Sequence, residues 1–517
     1  MLVSSDILAF VDHTLRVLQE RQSYHLRGFP DAPRLPAITR RSERSYTSVA
    51  GPWGGPYRLY PFVEAPVQEV PLRWDGPLLS VLRQRAGFSE GEKWGALADE
   101  MESVFAIHGF EERSGLPYCG WETELSLLTL AGLPCGSENV DYPRLKPLDG
   151  MLPESLWERV PEKMNRAMES LWMGLVTREE DLSFNRFCYY NFSPEQGERG
   201  LPFQPGHCGF QGAAVTLCGL WLDWTRRTGN PRGAEWARRM TDKFLAARHS
   251  ETGLLPHMFY TADPGSPTQD PYLMAHVYDT DNAVAWLRQL DLRRELGLDQ
   301  KAYEDQRRIH RQNLLSMARL AGDSAPGSYH QWINLDGSRE VGQVRYAFPT
   351  EEVKREAVAQ DPKCEAVGVF ESYGCYVDGP WSYGVHGFGM SLPLALSEGA
   401  ALLKDEEVFA ALQPYLDQIR EEFSQLSGAI NEANQYVCSA NACHIRTFLN
   451  AYAGRRDPED LKTACEIAQW EIEHLLPLTS GEEWESAPNL PAWWRLHLRS
   501  QVLDALLQLA RALSHPQ

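Results

Sequence analysis

The sequence predicts an all-α fold in which antiparallel helix hairpins follow one another and close into a ring. Three observations predict it. Apolar residues recur at helical spacing in paired segments: AAVTLCGLWLDW with GAEWARRMTDKFLAAR, AVAWLRQLDLRRE with KAYEDQRRIHRQNLLSMARL, SLPLALSEGAALL with EVFAALQPYLDQI, and HIRTFLNAYA with LKTACEIAQWEIEHLL. Short turn zones divide each pair, reading Thr228-Gly229-Asn230-Pro231, Leu296-Gly297-Leu298-Asp299, Leu403-Lys404-Asp405-Glu406 and Gly454-Arg455-Arg456-Asp457-Pro458. Longer stretches rich in Gly, Pro, Trp and Tyr separate one pair from the next. A short connection makes two helices antiparallel neighbours, and serial hairpins bury their apolar stripes by closing into a ring or a superhelix. A closed ring leaves a funnel at one end, lined by the longer loops.

Along the chain, residues 1–22 read as an amphipathic helix. Residues 28–76 carry Pro, Gly, Arg and aromatics at a density that suits an extended arm packed on a body rather than a flexible linker. Helical pattern returns at 91–106, 120–131 and 153–176, interrupted by loops at 107–119, 133–152 and 178–209. The hairpin region begins near Gly209, and 250–278 separates its first two hairpins. Between about 322 and 386 the pieces SYHQWINLDGS, VGQVRYAF and AVGVFESYGCYVDG alternate around Asp-Gly turns, which predicts short β-hairpin insertions. An amphipathic helix at about 491–513 follows. The organisation expected is an N-terminal helix and arm over 1–90 and a ring domain over 91–517.

A hydrophobic fraction of 43% supplies ample core for one large domain. The formal charge of −20 disfavours nucleic acid and anionic membrane surfaces as partners. No apolar run reaches the roughly 20 residues that span a bilayer, and no secretion signal is visible, so a cytoplasmic location is expected. Ten scattered cysteines without a CxxC pair suit a reducing compartment. The absence of GxGxxG, P-loop and GxSxG motifs leaves nucleotide, phosphate and α/β-hydrolase chemistry unsupported.

The hairpin spacing with Gly/Pro/aromatic loops resembles the (α/α)6-type toroids of carbohydrate-active enzymes, namely the six-hairpin glycosidases and the toroidal polysaccharide lyases. The resemblance covers roughly residues 90–515. It implies an enzyme that cleaves the glycosidic bonds of an oligo- or polysaccharide at the loop-lined mouth. Sugar rings stack on aromatic planes while polar side chains hold their hydroxyls. Among the sixteen Trp, helical ones such as Trp221, Trp224 and Trp286 are expected in the core. Loop aromatics are the candidates for sugar contact: Trp121, Tyr189, Tyr190, Trp332, Tyr373, Trp381 and Tyr383.

Hydrolysis needs two carboxyl groups, roughly 5–5.5 Å apart for retention and 6.5–9.5 Å for inversion. Three clusters stand at loop-helix boundaries: Glu122 and Glu124 in YCGWETE, Asp279 and Asp281 in YDTDN, and Glu432 in INEANQY with Asn434 and Tyr436 beside it. The alternative use of such acids is to cap helix N-termini; one of Asp279 and Asp281 is expected to be a cap and the other free for chemistry. The stretch from Tyr373 to Gly389 is similar to a segment of heparinase-like and alginate lyases. That likeness implies Tyr383 and His386 as the acid–base pair of a β-elimination. Asn185, Arg186, Asn191 or Arg199 would then neutralise a uronate carboxylate, with His207 at the next helix.

An epimerase would lean on His207, His386 and His444. A non-catalytic binding scaffold would need more regular repeats than these. No cofactor and no metal is expected: His108, Glu111, Glu112, His207, His386 and His444 form no HxxxH or HExxH pair. Some toroidal pectate lyases hold a metal with His and Glu, which keeps His108, Glu112 and His207 in view. Hydrolysis is favoured over β-elimination.

Overall fold

The computed structural model describes residues 2–21, 23–24, 35–36, 72–108, 154–184, 208–260, 268–298, 300–321, 332–338, 355, 391–426, 437–475 and 492–514. Fourteen helices lie within them. They are α1 (Ser4–Arg21), α2 (Leu72–Ala86), α3 (Glu92–His108), α4 (Glu154–Arg159), α5 (Pro161–Leu175), α6 (Gln211–Thr228), α7 (Pro231–Ala246), α8 (Thr280–Glu295), α9 (Gln300–Ala321), α10 (Ser391–Leu403), α11 (Glu406–Leu426), α12 (Val437–Arg455), α13 (Pro458–Leu475) and α14 (Ala492–Ser514). The helix Leu72–Ala86 falls partly on the stretch read as an extended arm, and the 153–176 pattern resolves into two helices broken at Val160-Pro161.

The four turn zones work as their residues dictate. Gly229 closes α6 in the left-handed conformation (φ 72°), Asn230 accepts the backbone N–H of Arg232 at 3.0 Å, and Pro231 opens α7. Lys404 (φ 52°) is followed by Asp405, which caps α11 through the backbone N–H groups of Glu407 and Val408. Arg456 (φ 60°), Asp457 and Pro458 repeat the arrangement between α12 and α13, Asp457 accepting from Glu459 N–H. These tight reversals fold α7, α11 and α13 back along α6, α10 and α12. In the same way α9 lies along α8.

Burial separates two layers. Gln211 through Trp224 are all buried in α6, and α8, α10, α12 and α14 are likewise buried on several faces, whereas α7 and α13 bury one stripe. A helix apolar on every side has to be surrounded. The surrounded helices pack in the order α6, α8, α10, α12, α14 and α2; α3, α4 and α5 then connect α2 back to α6, which closes the ring. Since each outer helix reverses direction, successive inner helices run the same way, with their N-termini at one end.

The core contains a tryptophan cluster between α5, α6 and α7. Trp172 stacks on Trp236 with ring centroids 4.8 Å apart, and Trp221 and Trp224 pack against the same ring. Trp221, Trp224 and Trp286 are all buried, as their helical positions predict.

Short strands cover the N-terminal ends of α6 and α8. Numbered β1 to β9 in chain order, they are Ser23–Tyr24, Leu35–Pro36, Val176–Arg178, Ser183–Phe184, Cys208–Phe210, Met258–Tyr260, Asp270–Pro271, Met274–His276 and Trp332–Asn334. Antiparallel β5-β6-β7 and β8-β9 are tied together by His257 N–H donating to Met274 O at 2.9 Å. β9 carries the expected Asp336-Gly337 turn at its end, but its partner is β8, with His276 opposite Trp332. VGQVRYAF and AVGVFESYGCYVDG lie outside the described residues.

Candidate functional site

β5 runs directly into α6, and β8 passes through one 3-10 turn, Val277–Asp279, into α8. The strand layer therefore delivers side chains to the end of the ring where the inner helices begin. Aligned helix N-termini make that end favourable for negative charge, which Asp279 and Asp281 already supply.

His257, His276, Asp279, Asp281 and Asn282 gather there, each at most 8% exposed. Asp279 is the best-anchored member. His257 Nδ1 lies 3.1 Å from both of its carboxylate oxygens, His276 N–H donates to Oδ2 at 2.9 Å, and Asn282 Nδ2 donates to Oδ1 at 3.1 Å. A carboxylate can only accept, so this arrangement sets a His257 proton on Nδ1. The His257 ring packs edge-on against Phe210 at 5.0 Å and lies 5.4 Å from the His276 ring.

Asp279 occupies the position preceding α8, yet its side chain makes no cap hydrogen bond. The expectation that one of Asp279 and Asp281 caps the helix is corrected for Asp279: its oxygens are already taken by two histidines and an asparagine. Asp281 follows two residues later, and side chains at that spacing do not face each other on a helix. Its charge adds to those of Glu398 and Asp504 in raising the pKa of Arg446 on α12.

A polar belt crosses the ring below the mouth. Glu398 of α10 accepts from Arg288 of α8 at 2.8 Å and from Arg446 at 2.9 Å. Burial works against the Arg446 charge, but Glu398, Asp504 and Asp281 outweigh it and raise its pKa. Asp504 of α14 in turn accepts from Gln84 of α2. Hydrogen-bonded ion pairs thus join α8, α10 and α12, and a further hydrogen bond joins α14 to α2.

Of the residues singled out from the sequence, Asp279 and Asp281 stand in this cluster. Trp332 brings its backbone beside His276. His444 is buried within α12. Glu122, Glu124, Tyr383, His386, Glu432, Trp121, Asn185, Arg186, Tyr189, Tyr190, Asn191, Arg199, His207, Tyr373, Trp381, Asn434 and Tyr436 lie outside the described residues. His257 and His276 were not among the candidates. A trace of them was present in MAHVYDTDN, where His276 precedes Asp279 by one turn, and in PHMFY at the head of an alternating run.

Among the described residues, no group of three or more His, Cys, Asp or Glu side chains is arranged to hold a metal ion, and no helix is long and apolar enough to cross a membrane. A cavity of about 560 Å³ opens elsewhere, on the outer wall between α7 and the turn joining β3 to β4. There Lys243 donates to the carbonyls of Asp181 and Leu182 and lies 4.4 Å from the Phe259 ring.

The ring of surrounded and surrounding helices is an (α/α) toroid. Solved structures align along most of the chain. Cellobiose 2-epimerase from Spirochaeta thermophila is 14% identical, with 99% of this chain and 96% of that chain covered at a TM-score of 0.42. An unsaturated glucuronyl hydrolase specific for heparin is 9% identical, with 86% and 98% covered at 0.41. A possible member of the GH105 family from Salmonella enterica is 10% identical, with 99% and 95% covered at 0.39. No family model and no curated protein matches the chain.

Proposed function

We propose that this protein is a carbohydrate-processing enzyme acting at the mouth of its helix ring, and that it hydrolyses glycosidic bonds with Asp281 as one of two carboxylates. The supporting observation is the division of labour between neighbouring acids: Asp279 is committed to His257, while Asp281, two residues further on, is buried in the first turn of α8. Two acids in one cluster with different surroundings suit different tasks. Asp279 orients His257, whose Nε2 serves a sugar hydroxyl, and Asp281 serves the anomeric centre. Its partner carboxylate is sought in Glu432, Glu122 or Glu124, of which Glu432 closely precedes α12, the helix that carries Arg446.

A second reading is supported by the two imidazoles beside Asp279. Rings 5.4 Å apart, one of them oriented by a carboxylate, suit proton exchange at a sugar carbon, as in epimerisation or isomerisation.

One panel separates these readings. Neutral and uronate-containing glycans are incubated with the protein, and reducing ends, absorbance near 235 nm and epimeric products are followed. Hydrolysis gives reducing ends without the chromophore; β-elimination gives the chromophore; epimerisation gives neither but changes the sugar. Asp281→Asn is expected to lower turnover about a hundredfold or more with the fold intact by circular dichroism. Turnover within tenfold of the parent protein would remove Asp281 from the mechanism.

A further inference from the structure

Three inner helices each bury, in their first turn, a polar atom that no described residue satisfies. Gln211 opens α6 and is 1% exposed, with neither Oε1 nor Nε2 partnered. Asn282 in α8 is fully buried; its Nδ2 is spent on Asp279, but its Oδ1 has no partner. Ser391 opens α10, is fully buried, and its Oγ has no partner. Buried polar groups are ordinarily hydrogen-bonded, and each exception calls for a physical account.

These residues stand at the same end of the ring. Gln211 N–H donates to His257 O at 2.9 Å, His257 and Asn282 share Asp279, and α10 packs on the Val277–Asp279 turn. A molecule bound at that end is the candidate partner for them. Their chemistry selects its class. An amide with both a donor and an acceptor, an amide oxygen and a hydroxyl complement alcohol groups, each of which donates and accepts. A carboxylate accepts only, so it would meet the Asn282 oxygen unfavourably and would lie close to the charges of Asp279 and Asp281.

We propose that Gln211, Asn282 and Ser391 form a subsite for a neutral sugar ring, whose hydroxyls they hold, and that the acidic floor excludes uronic acids. This rests on the carbohydrate reading of the mouth given above. It adds the substrate class and three binding residues.

The test uses a signature that a structural role would not produce. Removing an unsatisfied buried polar atom leaves the free protein equally stable or more stable, while the ligand loses a partner. Thermal unfolding is measured for the full chain, alone and with millimolar D-glucose, D-galactose, D-mannose, D-glucuronate or D-galacturonate. At least one neutral sugar is expected to raise the Tm, and its uronate counterpart is not. In Gln211→Met and Ser391→Ala the free protein should melt at or above the parent temperature, with the sugar bound about fivefold or more weakly.

Uronates that stabilise as well as neutral sugars overturn the proposal. So does a fall of several degrees in the free variants, or the lack of any shift with neutral sugars. The catalytic reading fails separately: if Asp281→Asn keeps full turnover while the neutral-sugar shift persists, the subsite stands and that assignment falls. The loss of turnover in Asp281→Asn without any neutral-sugar shift does the reverse.

Discussion

His257 Nδ1 bisects the carboxylate of Asp279, 3.1 Å from each oxygen, with both residues buried where α8 begins. The same carboxylate holds the backbone N–H of His276 and the amide of Asn282. Its removal takes an acceptor away from three buried donors. Asp279→Ala is expected to cost about 3 kcal/mol or more, read from urea unfolding, and Asp279→Asn less because an amide oxygen still accepts. A cost below about 1 kcal/mol for the alanine variant would show that these bonds do not hold the mouth together.

Lys243 carries a prediction that needs no substitution. Burial pushes its ammonium down to about 8, partly opposed by Asp181. Acylation of Lys243 by acetic anhydride, followed by peptide mass spectrometry, should rise through a midpoint near pH 8. Lys462, exposed beside Glu459, is raised and should react only at much higher pH. The sign for stability follows from proton uptake. From about pH 8 to the ordinary lysine pKa of about 10.4 the unfolded chain binds more protons, so this group makes the fold more stable as pH rises through that window.

Two glycines four residues apart should respond differently to alanine. Gly229 has φ 72° with open space around it, so Gly229→Ala meets only backbone strain, about 1 kcal/mol. At Gly233 a Cβ would stand 2.2 Å from the Trp221 carbonyl oxygen, where α6 and α7 cross. Gly233→Ala is expected to cost about 2–3 kcal/mol. Equal or reversed costs in chemical denaturation would mean that this crossing is looser than its geometry states.

Asp405 links a cap to an ion pair. Burial works to raise its pKa, but the Arg311 guanidinium and the N–H groups of Val408 and Glu407 outweigh it and hold the carboxyl below 3.8. A depressed acid contributes stability that is complete above its unfolded pKa and fades as pH falls through the folded value. Asp405→Ala should therefore cost about 1–2 kcal/mol at pH 7, and the gap to the parent protein should close in acid. A gap that stays constant down to pH 2 would contradict this origin.

The hairpin turns were legible in the sequence because their chemistry is local. A left-handed residue, a capping Asn or Asp and a proline at the next helix start are contiguous, as at Gly229-Asn230-Pro231 and Arg456-Asp457-Pro458. The core tryptophans were legible from helical spacing alone. The role of Asp279 was not, because the group that claims it, His257, lies 22 residues away on another element. Gln211, Asn282 and Ser391 were also invisible as a set. Whether a buried amide is satisfied depends on what surrounds it in space, and their spacing along the chain carries no trace of that. The helix Leu72–Ala86 was missed where Pro and Gly density masked its apolar stripe.

Gln84 and Asp504 meet across 420 residues of chain, and with them α2 and α14 close the ring. Every other joint along the run from α6 to α14 connects segments that lie nearer in sequence, so this one has more loop entropy to overcome than any of them. Until it forms, the folding chain is an open arc whose inner helices, apolar on several faces, look out on water. Such an intermediate is prone to association with its own kind. Substitutions that loosen the seam between α2 and α14 are thus expected to slow folding and lower the yield of soluble protein together.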